Sequence, residues 1–194
     1  MPFQLVGVTP PSLTDNQWNC LPDLFRTGLS LLYVRQDESP ELKQRLTSDV
    51  LAPFRDQIIV PFEVPRTALR LHWKEAIRQQ APANSQAFST SMHEISDWPM
   101  LRGKVKLVFY SPLFPSISKP GYGPTMTLAE RTIAIRHLRR NFGSLPPLIG
   151  LGGIRVDNIR QVQDAGFDGA AVLGTLWESP DPVETVHQLI RQVV

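Results

Sequence analysis

Eight short, mostly apolar segments recur along the chain, and most are separated by a stretch of helical character. They are residues 3–9, 29–35, 57–62, 69–73, 86–92, 106–112, 148–153 and 169–174. Near-continuous apolar strands separated by single helices are typical of a parallel sheet covered by helices. Eight such units close most simply as a (β/α)8 TIM barrel, an α/β fold, while an open doubly wound sheet is the competing arrangement.

The length of the chain predicts one shortened connection. Its 194 residues fall just below the roughly 200-residue lower end of this fold. Only residues 63–68 separate the third and fourth segments, which is enough for about one helical turn. We expect a single domain over residues 1–194 with a shortened β3–β4 connection.

Helix signals are clearest late in the chain. Thr127 and Glu130 have the spacing of a capping box, and Asp181 with Pro182 can open the last helix. One face of the first of these helices carries Leu128, Ile135, Leu138 and Phe142. Near the N-terminus, residues 15–28 predict an interrupted helix.

Charge and composition exclude several classes of partner. The formal net charge is only +2, with basic residues scattered among acidic ones, so no nucleic-acid partner is indicated. No membrane partner is indicated either, since no apolar run could span a bilayer and no signal peptide is recognisable. Cys20 is the single cysteine, expected to face the core, and allows no intrachain disulfide. We expect a cytoplasmic protein; the sequence leaves its oligomeric state open, a homo-oligomer included.

Small residues follow the seventh and eighth segments. Gly152 and Gly153 allow a backbone to approach an anion, and a helix starting near Val156 can point its N–H groups at that anion. Gly174 and Thr175 repeat the pattern one strand later. In a barrel these loops meet, which predicts a phosphate site. The alternative is that the glycines only serve tight turns.

The loop after the sixth segment would overhang the same end of the barrel. Ser116 and Ser118 supply hydroxyl donors, and Lys119 is a mobile cation that can meet phosphate oxygens. Alone, such residues would be solvated surface. Beside a phosphate site they indicate a second anionic group.

His93 is the histidine predicted at a strand end on this face. A group that titrates near neutral pH is suited to proton transfer. The alternative is a structural hydrogen bond that holds the loop of Lys119. His72 could face either way in its strand.

Four segments resemble the thiamine phosphate synthase family, which includes the thiazole tautomerases. They are STSMHEISDW, FYSPLFPSISKPGYG, IGLGGI and AGFDGAAVLGTLW. The resemblance covers most of the chain and is strongest from Ser89 onward. It implies a parallel β/α barrel. It also implies a synthase that joins hydroxymethylpyrimidine diphosphate to a carboxylated thiazole phosphate and releases diphosphate and carbon dioxide. The tautomerases instead aromatise the thiazole phosphate by moving a proton.

The resemblance also implies roles for particular residues. It places Arg35, Ser91 and Lys119 at the diphosphate, with His93 and Lys119 as the catalytic candidates. The residues that it places at the thiazole phosphate and its carboxylate are Ser116, Ser118, Gly152, Gly153, Gly174 and Thr175. Fixed cations would stabilise the charge that develops on a leaving diphosphate.

Departures from the family pattern concern the cations and the metal. Tyr33 and Asp37 stand where synthases have glutamine and lysine. Residues 61–63, Pro-Phe-Glu, replace the Asn-Asp-Arg whose aspartate binds Mg²⁺. Glu63 and Glu75 are the nearest replacement carboxylates for Mg²⁺, and no organic cofactor is implied.

Three functions remain open from the sequence. The first is a divergent synthase, and the second is a tautomerase-like enzyme that needs no metal. The second lacks one family feature, since Pro112 stands where such enzymes carry a histidine. The third is a non-catalytic binder of phosphorylated thiamine precursors.

Overall fold

Eight parallel strands pair in chain order and close into a barrel in the computed structural model, which describes residues 2–82, 84–115 and 123–193. The strands are β1 (Gln4–Val8), β2 (Leu31–Tyr33), β3 (Ile58–Val60), β4 (Arg70–Trp73), β5 (Ala87–Met92), β6 (Val105–Tyr110), β7 (Leu148–Leu151) and β8 (Gly169–Val172). Parallel pairing of β1 with both β2 and β8 completes the ring. All eight predicted strands form, so the TIM barrel is confirmed and the open sheet is excluded.

Helices cover the outside of the barrel. They are α1 (Asp15–Thr27), α2 (Pro40–Leu46), α3 (Glu75–Gln80), α4 (Leu128–Phe142), α5 (Ile159–Asp164), α6 (Gly174–Trp177) and α7 (Pro182–Arg191), with 3₁₀ segments at Asp49–Gln57 and Ile95–Leu101. Within the described ranges, no helix combines the length and the apolar character needed to cross a membrane.

The predicted helix ends agree with the structure. Thr127 Oγ1 accepts from Glu130 N, and the Glu130 carboxylate accepts from Thr127 N at 2.7 Å, so the capping box is present. The Asp181 carboxylate accepts from the backbone N–H groups of Val183 and Glu184 at 3.0 Å each. Both caps occupy N–H groups that the first turn of a helix leaves unpaired.

Two helix expectations are wrong. Helix α1 is continuous through the buried Pro22, because burial of its apolar face outweighs the one backbone hydrogen bond that proline removes. Phe142 is 45% exposed rather than packed, since it lies at the last turn of α4.

The short β3–β4 connection is confirmed. The residues between Val60 and Arg70 are all described, and they form no helix; a turn occupies the centre of this connection. Thr67 Oγ1 donates to Val64 O at 2.7 Å within this turn.

Two apolar clusters build the interior. The larger lies between strands and helices, with the half-buried Cys20 packed against it as expected. The smaller fills the barrel with alternate strand residues, among them Val8, Tyr33, Phe109 and Ile149. This alternation follows from the period of two of a strand, and it brings the last inward residue of each strand to one end of the barrel.

Candidate active site at the carboxyl ends of the strands

A cavity of about 550 Å³ opens at the carboxyl ends of the strands. Its strand residues are Val8, Tyr33, His72, Ser91, Phe109 and Leu151. The loop residues that line it are Pro11, Arg35, Gln36, Asp37, Lys74, His93 and Ser111, together with Glu75 at the start of α3. This end of a β/α barrel carries the chemistry in enzymes of the fold. The structure therefore brings together Arg35, Ser91 and His93, which the sequence predicted for the site.

The floor of the cavity consists of Tyr33, His72 and Phe109, all buried. The Tyr33 and His72 ring centroids are 4.4 Å apart, and each lies 5.7 Å from that of Phe109. His72 Nδ1 is 2.9 Å from Ser89 Oγ, and Nε2 is 3.3 Å from Ser91 Oγ. The floor thus offers aromatic surface together with a hydroxyl that lines the cavity.

The floor is uncharged near neutral pH. Burial lowers the pKa of His72 to about 3, and the charge of Lys74 acts in the same direction. Burial raises the pKa of Tyr33 to about 12, against the opposing charge of Arg35. His72 is therefore neutral, with one ring nitrogen donating and the other accepting.

Charged side chains that follow β2 and β4 form the rim of the cavity: Arg35 and Asp37 from the loop after β2, Lys74 directly after β4, and Glu75 at the start of α3. The backbone N of Arg35 donates to Thr9 Oγ1 at 3.0 Å, which fixes the start of its loop. Lys74 Nζ lies 3.3 Å from Asp37 Oδ1, so the two loops meet at the rim.

His93 ties the end of β5 to the loop after β6. Its Nδ1 lies 2.9 Å from Ser111 O. Because a carbonyl only accepts hydrogen bonds, Nδ1 carries the proton, and Nε2 of the neutral ring keeps its lone pair. The structural bond considered from the sequence is present, and the proton-transfer role stays a prediction.

The loop after β6 is anchored by Arg131, a residue that sequence reasoning missed. The side chain is 1% exposed. Its guanidinium donates to Pro112 O and Leu113 O at 2.9 Å each and to Tyr110 Oη at 3.3 Å. These bonds fix the backbone where the loop leaves β6. Ser116, Ser118 and Lys119 lie outside the described residues, so their predicted roles stay predictions.

The glycines after β7 pack beneath this same loop. Gly152 and Gly153 have φ angles of 108° and 64°, in the left-handed region. A Cβ on Gly152 would lie 3.2 Å from Pro112 Cα. A Cβ on Gly153 would lie 2.8 Å from Phe114 Cβ and 2.9 Å from Pro115 O. Close packing of the β6 loop therefore requires glycine at both positions.

The helix after this turn begins later than expected. Helix α5 starts at Ile159 instead of near Val156. Asn158 holds the intervening turn: its side chain accepts from Arg155 N at 2.7 Å and donates to Gly153 O at 2.9 Å. The dipole of α5 consequently begins one turn farther from the glycines than the sequence suggested.

Gly174 and Thr175 line a second depression, of about 450 Å³, together with Arg155 and Glu178. Thr175 Oγ1 donates to Ile154 O at 2.6 Å, which joins the turns after β7 and β8 as predicted for a shared site. A Cβ on Gly174 would lie 3.0 Å from Glu178 Oε1. Two carboxylates, of Asp157 and Glu178, and the Arg155 guanidinium, which pairs with Asp157 at 3.1 Å, thus border the predicted phosphate position. Phosphate binding stays a prediction.

Comparison with models of known protein families finds no match. The chain is 29% identical over 157 residues to a thiamine-phosphate synthase of Listeria monocytogenes, covering 77% of this chain and 69% of that protein. It is 28% identical over an alignment of 206 residues to that of Bordetella pertussis, covering 93% and 90%.

Solved structures agree on the fold. Thiamine phosphate pyrophosphorylase of Bacteroides thetaiotaomicron matches with a TM-score of 0.75 at 24% identity, over 98% of this chain and 97% of that one. That of Pyrococcus furiosus matches with 0.71 at 15%, over 98% and 95%. The chain is thus similar in sequence to thiamine phosphate synthases and shares the fold of the solved ones.

The carboxylates near the cavity do not form a metal site. Glu75 lines the cavity but pairs with Arg78 at 3.1 Å, and Glu63 is exposed and absent from the described lining. In the described ranges, no three His, Cys, Asp or Glu side chains stand close enough to hold a metal. The residues at the rim therefore do not fit the Mg²⁺ site that the resemblance implies.

Lys74 lines the cavity although sequence reasoning gave it no role, and His72, whose orientation the sequence left open, faces the cavity. A signal existed in and beside β4, where Leu69, Leu71 and Trp73 alternate with Arg70, His72 and Lys74. The apolar set packs toward the helices, so the other set faces the barrel axis.

Proposed function

We propose that the protein is an enzyme of thiamine biosynthesis that works as a thiamine phosphate synthase. It joins hydroxymethylpyrimidine diphosphate to a carboxylated thiazole phosphate and releases diphosphate and carbon dioxide. The observation that carries this proposal is the cavity at the barrel end, whose neutral aromatic floor adjoins a rim with Arg35 and Lys74. A flat heteroaromatic ring would fit the aromatic floor, and its anionic leaving group would fit the positively charged side chains of the rim.

Each part of the cavity has a role in this reaction. The rings of the floor pack against the pyrimidine, while Ser91, which is hydrogen-bonded to the neutral His72, hydrogen-bonds its polar edge. Arg35 at the rim stabilises the negative charge on the leaving diphosphate. The thiazole phosphate takes the depression beside Gly174 and Thr175, where Arg155 exchanges its ion pair with the exposed Asp157 for the phosphate.

One assay tests the proposal. Purified protein is incubated with both substrates, and thiamine phosphate and released diphosphate are quantified, with single-substrate reactions as controls. We expect both products in equal amounts. Arg35→Ala should lower kcat/KM by about tenfold or more, as for loss of hydrogen bonds to a charged group. The matched control is Arg26→Ala, which removes an exposed arginine of α1. Absence of product from the unaltered protein would refute the synthase assignment.

A tautomerase-like activity is the second candidate, and the tautomer of His93 favours it. With Nδ1–H held by Ser111 O, the Nε2 lone pair can accept a proton from a thiazole ring. Exchange of that proton in heavy water, followed by NMR without the pyrimidine substrate, distinguishes this activity from the synthase. Exchange that survives His93→Gln unchanged would exclude His93 as the base.

A further inference from the structure

The cations at the rim come from two loops that touch. Lys74 directly follows β4, and Arg35 lies two residues beyond β2. Both line the same cavity. Asp37, on the loop of Arg35, pairs with Lys74 at 3.3 Å. A single anionic group at this rim can therefore meet an ammonium and a guanidinium together.

The pairing of Lys74 is easily exchanged. The side chains of Lys74 and Asp37 are 51% and 95% exposed. Exposed ion pairs contribute about 0–1 kcal/mol, so a multiply charged anion competes well with one mobile carboxylate. Lys74 can then turn from Asp37 to the ligand. Its charge already reaches the cavity floor, where it helps to lower the pKa of His72.

The neighbouring acidic group is held more firmly. Glu75 pairs with Arg78, whose side chain is only 12% exposed. A divalent cation that took Glu75 would leave this largely buried guanidinium without its carboxylate, which is costly. Glu63, the other replacement carboxylate, is exposed and lies outside the described lining of the cavity.

We propose that Lys74, together with Arg35, binds the diphosphate group of the ligand directly and without a bridging divalent metal. Lys74 thereby supplies the positive charge that Mg²⁺ would otherwise supply at this rim. The inference rests on the proposed function for the identity of the anion. The binding itself depends only on the charges at the rim, so inorganic diphosphate serves as the probe.

The test is calorimetric titration of the full-length protein with inorganic diphosphate, in EDTA and in excess Mg²⁺. We expect binding in EDTA. Lys74→Met should weaken it by about tenfold or more, as for a hydrogen bond to a charged group. Asp37→Asn should tighten it, because this change releases Lys74 and removes a negative charge from the rim. The control Lys104→Met removes an exposed lysine at the opposite end of the barrel and should leave affinity unchanged.

Several results would overturn the inference. If diphosphate bound only in Mg²⁺, and if Glu75→Gln abolished this binding while Lys74→Met left it unchanged, the rim would hold a metal site instead. Equal affinity in Asp37→Asn and the unaltered protein would show that Lys74 is not released to the anion. Thermal unfolding of each variant shows whether its structure is retained. Asp37→Asn is expected to increase the affinity for diphosphate, and a gain in affinity cannot come from loss of structure. Diphosphate binding in EDTA without coupling of the two substrates would instead count against the synthase assignment alone.

Discussion

His72 is a buried histidine held between two serine hydroxyls and two aromatic rings, and its environment makes stability depend on pH. Its pKa falls from 6.5 to about 3 on folding, so the unfolded chain binds the proton more readily. The stability that neutral His72 contributes is fully present above pH 6.5 and is lost as pH falls toward 3.

Comparison with His72→Gln isolates this effect. Below pH 6.5 the unfolding free energy of the unaltered protein should fall relative to that of the variant, by up to about 1.4 kcal/mol per pH unit. Urea unfolding at pH 7.5, 6.5, 5.5 and 4.5 measures it. Parallel pH profiles for the two proteins would contradict the depressed pKa. His137→Gln, at an exposed position, serves as the control.

Arg131 acts at the same scale by satisfying backbone carbonyls. Arg131→Met leaves Pro112 O and Leu113 O without the donors they have now. We expect a loss of about 1–3 kcal/mol in unfolding free energy, with partial recovery in Arg131→Lys, because lysine restores a donor but not the planar fork. The exposed Arg136→Met on the same helix is the control. Equal stability of the two methionine variants in urea would show that Arg131 does not anchor the loop.

At the scale of elements, the β6 loop and the β7 turn form one packed unit. Phe114 N donates to Gly152 O at 3.1 Å, and Leu113 N donates to Leu151 O at 3.0 Å. Together with the side chain of Arg131, these bonds hold the start of the segment that carries Ser116, Ser118 and Lys119. The sequence suggested that Gly152 and Gly153 face an anion. In the structure, the absence of a Cβ at both positions first of all makes room for the backbone of the β6 loop.

Gly153→Ala tests this packing. Gly153 and Gly103 both have positive φ, 64° and 76°, but a Cβ on Gly103 would meet nothing within 4 Å. Both alanine variants incur backbone strain of about 1–2 kcal/mol. Gly153→Ala should lose about 1–3 kcal/mol more, because its Cβ overlaps Phe114 and Pro115. Chemical denaturation compares the two variants, and similar losses would show that the loop yields without cost.

At the scale of the whole molecule, local patterns predicted much of the fold. The eight strands could be predicted because a strand buried in a closed sheet must be mostly apolar, and such a strand is a run of consecutive apolar residues in the sequence. The caps at Thr127 and Asp181 were equally local. The continuity of α1 through Pro22 was not, because tertiary burial of the helix face decided it.

The same distinction between local and tertiary information applies to the candidate site. The sequence by itself determined which residues end or follow the strands, and hence that Arg35, Ser91 and His93 gather at one end of a barrel once the strands close. Only the tertiary structure decided the burial, ion pairing and packing of the residues around the site. It buried His72 among aromatic rings, paired Lys74 with Asp37 and Glu75 with Arg78, and laid the β6 loop over Gly152 and Gly153. The physical reason is that burial and ion pairing depend on distances between segments far apart in the chain, which no spacing within one segment encodes.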